Sequence, residues 1–85
     1  MSAVEDAQRL ILDYLKTEVL VDEGASLTPE SPLLQGRVDS LGLNQLIGFL
    51  EDEFEIEVDD DDMREEHFAT VSTITRLVTA KAGLD

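Results

Sequence analysis

The chain has 85 residues, 20 of them acidic and 6 basic, for a formal net charge of −14. Such a polyanion repels phosphate backbones and anionic lipid, whose binding rests on Lys and Arg, so nucleic-acid and membrane-surface binding are poor assignments. At 42% hydrophobic residues the chain is too apolar for disorder, yet a domain this short buries only ~60–65% of its unfolded surface, and self-repulsion weakens it further.

Without Cys there is neither a disulfide framework nor a cysteine zinc site. Met1-Ser2-Ala3-Val4-Glu5-Asp6 lacks the basic start and apolar run of a signal peptide. The densest apolar stretch, Leu46-Ile47-Gly48-Phe49-Leu50, is too short to cross a bilayer. The expectation is a soluble, cytoplasmic, monomeric protein with one domain over residues 1–85. A cleft enzyme is not expected, because most of the chain is needed to make a core.

Ser2 and Glu5 have the spacing of a capping box. Val4, Ala7, Ile11 and Leu15 follow at helical intervals with Leu12 beside them, predicting a first helix to about Thr17 or Glu18. Residues 21–38 read as a long loop with breakers at Gly24, Pro29, Pro32 and Gly36, pinned to the core by Leu27, Leu33 and Leu34. Asp39 stands as the N-cap of a second helix, whose stripe of Leu43, Leu46, Ile47, Leu50 and Phe54 is the strongest in the sequence. Gly42 and Gly48 interrupt that helix at ~1 kcal/mol each, which predicts close backbone approach somewhere along it.

Phe54-Glu55-Ile56-Glu57-Val58 alternates like a strand but has no second strand to pair with, so it reads as an extended exit. Residues 59–67 are a charged stretch with one or two helical turns and Met63 as the apolar anchor. Thr70 then caps a last helix with Val71, Ile74, Leu77 and Val78 inward and Gly83 as its stop. The predicted fold class is all-α: three longer helices and a short one.

Three chemical readings compete. A catalytic Ser40 lacks the elbow pattern, since Val38 stands where Gly is needed, and nothing brings the lone His67, read as a surface residue, beside it. The run Asp59-Asp60-Asp61-Asp62 fails the calcium-loop spacing, with Met63 at the fifth position, and reads as solvated charge. Ser40 opening a helix remains, a position whose free amides and positive dipole suit a phosphate ester. By spacing alone, a lone Asp-Ser-Leu is weak, and the reading of Ser40 as an ordinary helix-start residue is favoured.

Over nearly its whole length the chain resembles the acyl carrier protein family. The resemblance rests on size, acidity, the helix followed by a long loop, Asp39-Ser40-Leu41 opening the second helix, Glu51-Asp52-Glu53-Phe54-Glu55-Ile56-Glu57-Val58, and Phe68-Ala69-Thr70-Val71 before the last helix. It implies a four-helix bundle with a long loop between helices one and two. It further implies that Ser40 receives phosphopantetheine from coenzyme A through a separate phosphopantetheinyl transferase, that Asp39 caps the helix and contributes to transferase recognition, and that the cofactor thiol carries an acyl thioester.

No residue is expected to be catalytic and none to hold a metal. Leu41, Glu51 and Asp52 are the expected partner-recognition residues, facing a loading ligase or synthase and downstream enzymes with basic patches. Three residues separate Gly36 from Ser40, and Gly42, Asn44 and Gly48 depart from the pattern of fatty-acid-synthesis carriers. These departures resemble free-standing carriers of dedicated pathways, with aminoacyl, peptidyl or D-alanyl carriage as the alternative cargo class. An acidic interaction module without cofactor is the more distant alternative.

Overall fold

The helical periodicities close around one core. The computed structural model describes residues 3–20, 26–33 and 38–83. Its helices are α1 (Ala3–Tyr14), α2 (Ser40–Phe54) and α3 (Val71–Ala82), with single 3-10 turns at Asp60–Asp62 and Glu65–His67. No strand occurs among the described residues. The architecture is therefore an all-α, carrier-like bundle in which the short fourth element is a pair of 3-10 turns.

The core takes the stripe residues where the sequence places them. Ala7, Ile11 and Leu15 from the first segment, Leu46 and Leu50 from α2, and Val71, Ile74 and Val78 from α3 are all buried. Leu43, Ile47, Phe54 and Leu77 pack partly buried against that cluster. Leu27 and Leu33 are buried as expected, and the Leu33 and Ser72 amides donate to the Ala69 and Pro29 carbonyls at 2.8 and 3.0 Å. The Ser72 hydroxyl also donates to the Glu30 carboxylate. Leu34, Gly24, Gly36 and the Ser2 end of the first capping box lie outside the described residues.

Several expectations need correction. The first helix does not continue as α-helix to residue 17 or 18. It turns π-helical over Leu15–Val19, closed by the Leu20 amide on the Leu15 carbonyl at 2.6 Å. The Thr17 hydroxyl takes the Asp13 carbonyl at 2.9 Å, a competition that bends helices, and the wider turn brings Leu20 into the core. Met63 is not the anchor of the acidic stretch. It is 41% exposed, and Phe68 is buried instead.

His67 is half-buried rather than a surface residue, with Nδ1 donating to the Asp62 carbonyl at 2.9 Å. Thr75 and Thr79 also enter the core. Their hydroxyls donate to the Val71 and Thr75 carbonyls, each at 2.8 Å, which removes the cost of burying a polar group.

Capping follows the sequence closely. Thr70 forms a reciprocal capping box with Thr73, and Gly83 ends α3 at φ 74, the left-handed conformation that favours glycine. At the end of α2 a non-glycine residue, Glu55, takes φ 54, at a cost of ~1–2 kcal/mol. Glu51 helps hold it. Its carbonyl accepts the amides of Glu55 and Ile56, and its carboxylate accepts the Val58 amide at 2.9 Å. That network produces the extended exit.

The acidic stretch is tied down at one point. Asp59 and Asp62 cap each other's amides, and Lys81 of α3 reaches Asp62 at 2.6 Å. The Lys81 hydrogen bond lowers the Asp62 pKa, and the same bond raises that of Lys81. A lowered carboxylate stabilises the fold above its unfolded pKa, and a raised amine does so below its own.

In urea unfolding, Leu46→Ala should lose ~2–5 kcal/mol, whereas Gly48→Ala, at an exposed position with no atom within 4 Å of the added methyl, should gain up to ~1 kcal/mol. Wild type should exceed Lys81→Met in stability by a constant margin at intermediate pH. That margin should shrink as pH falls below the ordinary Asp value of 3.8 or rises above the ordinary Lys value of 10.5. A margin that does not change with pH would show that Lys81 acts through packing alone.

Candidate functional site

The start of α2 is built by its own sequence. Asp39 is extended at φ −82, and its side chain accepts the Gly42 amide at 2.8 Å. Its carbonyl accepts the Leu43 amide at 2.9 Å. The amides of Ser40 and Leu41 precede the first intrahelical bond and have no partner among the described residues.

Ser40 is exposed at the first position of the helix. Its hydroxyl makes no hydrogen bond among the described residues, whereas those of Ser31 and Ser72 are engaged with Thr28 and Glu30. Leu41 beside it is 67% exposed, a large apolar side chain left in solvent.

The turn is seated from below. Gly42 is buried, and a Cβ there would lie 3.0 Å from Val19 Cγ1 and 3.3 Å from both Asp39 Oδ1 and Val38 Cγ1. The expected close backbone approach is real at Gly42 and does not occur at Gly48. Sequence reasoning did not find Val19 as the partner, because its position depends on the π-helical turn, which leaves no compositional trace.

The expected recognition residues divide. Leu41, Asn44, Gly48 and Asp52 are exposed at helical spacing and form one outward stripe along α2. Glu51 is half-buried and committed to the Val58 amide, so its carboxylate has a duty inside the fold.

Among the described residues no hydrolytic constellation forms around Ser40. His67 Nδ1 is bound to Asp62, and no hydrogen bond joins the two residues. Among the described residues no three His, Asp or Glu side chains converge as metal ligands. A groove of about 450 Å³ lined by Glu66, His67, Thr73, Arg76, Leu77 and Ala80 shares no residue with the α2 start.

The sequence matches the family model of the phosphopantetheine attachment site over residues 9–78. The chain belongs to that family. Comparison with curated proteins and with solved structures gives no match. Family membership makes the protein a carrier of covalently attached phosphopantetheine, served by a phosphopantetheinyl transferase and by biosynthetic enzymes, and not itself a catalyst.

The α2 start fits such a group. An exposed hydroxyl stands beside two amides without a partner among the described residues, at the positive end of a 15-residue helix, which suits a phosphodiester anion. No described helix of the carrier is long and apolar enough to cross a membrane.

Proposed function

We propose that Ser40 is the attachment residue of a single carrier domain, which holds acyl groups as thioesters and passes them between biosynthetic enzymes. The observation carrying this reading is the Ser40 hydroxyl, exposed and without a hydrogen bond among the described residues at a capped helix start. Asp39 keeps the first turn formed for the transferase, and the amides of Ser40 and Leu41 face the phosphodiester. The attached group supplies a flexible arm ending in a thiol, which explains how a chain without Cys can carry thioesters. No described base is hydrogen-bonded to Ser40, and in this reading the chemistry of attachment is supplied by the transferase.

Cytoplasmic biosynthetic pathways are the expected setting. Gly42 and the flat middle of the outward stripe, Asn44 and Gly48, favour a dedicated pathway over bulk fatty acid synthesis, and they keep aminoacyl, peptidyl or D-alanyl cargo as the second reading. Incubating the holo form with acyl-loading and with aminoacyl-loading ligases separates the two.

Partner recognition is assigned to the α2 stripe, with Leu41 as the apolar contact and Asp52 as the charged one. Exposed acids at a helix C-terminus cost a few tenths of a kcal/mol each. Glu51 has a local reason to be there, but Asp52 and Glu53 are exposed and make no side-chain hydrogen bond or ion pair among the described residues. Ion pairs with a basic partner would act mostly on association rate.

Incubation with coenzyme A and a broad-specificity transferase should add the mass of one phosphopantetheine to the wild type and nothing to Ser40→Ala. Modification of Ser40→Ala, or none of the wild type by several transferases, would reject the assignment. Asp52→Lys with Glu53→Lys should slow acyl loading at low salt and lose most of that effect at high salt, with unfolding unchanged. Loading that is equally fast in both proteins would move recognition off the end of α2.

A further inference from the structure

A tight contact between the first helical segment and α2 bears on Ser40. Gly42 lies two residues beyond it, buried, with its amide held by Asp39 Oδ1 at 2.8 Å. A methyl added at Gly42 would meet Val19 Cγ1 at 3.0 Å and the capping oxygen itself at 3.3 Å. Val19 ends the π-helical turn Leu15–Val19, so the wider turn and the missing side chain are complementary. The end of one helix fits against the first turn of another at a place where an added methyl would be tightly crowded.

We propose that Val19 and Gly42 are positioning residues for Ser40. Their contact seats the first turn of α2 on the π-helical turn and fixes the Asp39 cap, and through it the direction in which the Ser40 hydroxyl is presented to the transferase. The inference rests on Ser40 being the attachment residue, and it is distinct from a stability role. Replacing a helical glycine by alanine normally gains stability, so a purely structural position would tolerate or welcome the change. Here the methyl would crowd Val19 Cγ1 at 3.0 Å and both Asp39 Oδ1 and Val38 Cγ1 at 3.3 Å, so these neighbours must give by a few tenths of an ångström.

The test compares wild type, Gly42→Ala, Val19→Ala and the double variant Val19→Ala/Gly42→Ala. The readouts are transferase kcat/KM with coenzyme A, the melting temperature, and amide hydrogen exchange at positions 42 and 43 in the unmodified protein. Gly42→Ala should load about tenfold more slowly, well within the hundredfold that a 1 Å misplacement can cost. Its melting temperature should not fall in proportion, and exchange should quicken at position 42, whose amide the Asp39 side chain holds. Val19→Ala in the same chain should restore loading to within about twofold, as expected for two groups in contact.

Val19→Ala alone should quicken exchange at those two amides more than it lowers global stability, and it provides a readout should Gly42→Ala fold poorly. Loading of Gly42→Ala at the wild-type rate would overturn the proposal, as would a loss that Val19→Ala fails to rescue. Unchanged exchange at positions 42 and 43 in Val19→Ala would do the same. A wild type that is never modified, or a modified Ser40→Ala, would instead overturn the attachment reading, so the two failures can be told apart.

Discussion

The hydrogen bond from the Gly42 amide to the Asp39 carboxylate is the contact on which the site depends. It ends the loop, sets the first turn of α2, and leaves Ser40 and Leu41 facing out with their amides free of described partners. N-cap bonds of this kind contribute ~0.5–2 kcal/mol, a large share of the stability of an 85-residue domain. Val19 packs close to the same turn, its Cγ1 only 3.0 Å from where a Cβ on Gly42 would stand. The core beneath α2, with Leu46 and Leu50 fully buried, makes that first turn a fixed platform. A carrier needs this, because the enzymes that act on it bring the catalytic groups and must find one hydroxyl in one place.

Charge is the second constraint. With 20 acids against 6 bases the fold concentrates repulsion, and the structure gives some of these acids local duties. Glu51 holds the exit of α2, Asp59 and Asp62 cap a 3-10 turn, and Lys81 ties that turn to α3. Acids without such duties, Asp52 and Glu53 among them, crowd the end of the outward face of α2. In the proposed recognition, the same charge that weakens the isolated domain would attract a basic partner at long range, most strongly at low salt.

Much of this is legible in the sequence because it depends on local rules. The apolar intervals of Ile11 and Leu15, of Leu46 and Leu50, and of Ile74 and Val78 mark the helix faces. Asp39, Thr70 and Gly83 mark the helix ends through side-chain chemistry that acts over three or four residues. What is not legible depends on contacts across the bundle. The π-helical turn after Tyr14, the seating of Val19 on Gly42, the burial of Thr75 and Thr79, and the use of Glu51 by Val58 all require knowing which segment lies opposite. Met63 misleads for the same reason: in a charged stretch the single methionine looks like the anchor until Phe68 and His67 are seen to fill that place. Ser40 stands out by its position at a helix start, but spacing alone leaves it an ordinary first-turn residue, and the role proposed for it rests on the order of features along the whole chain.

The central claim is that one particular serine of five carries the phosphopantetheine. Fragment-ion mapping of the modified protein tests it most directly, since it locates the added group without altering the chain. The account predicts the phosphopantetheine on Ser40 and on no other residue; finding it on Ser2, Ser26, Ser31 or Ser72 would contradict it.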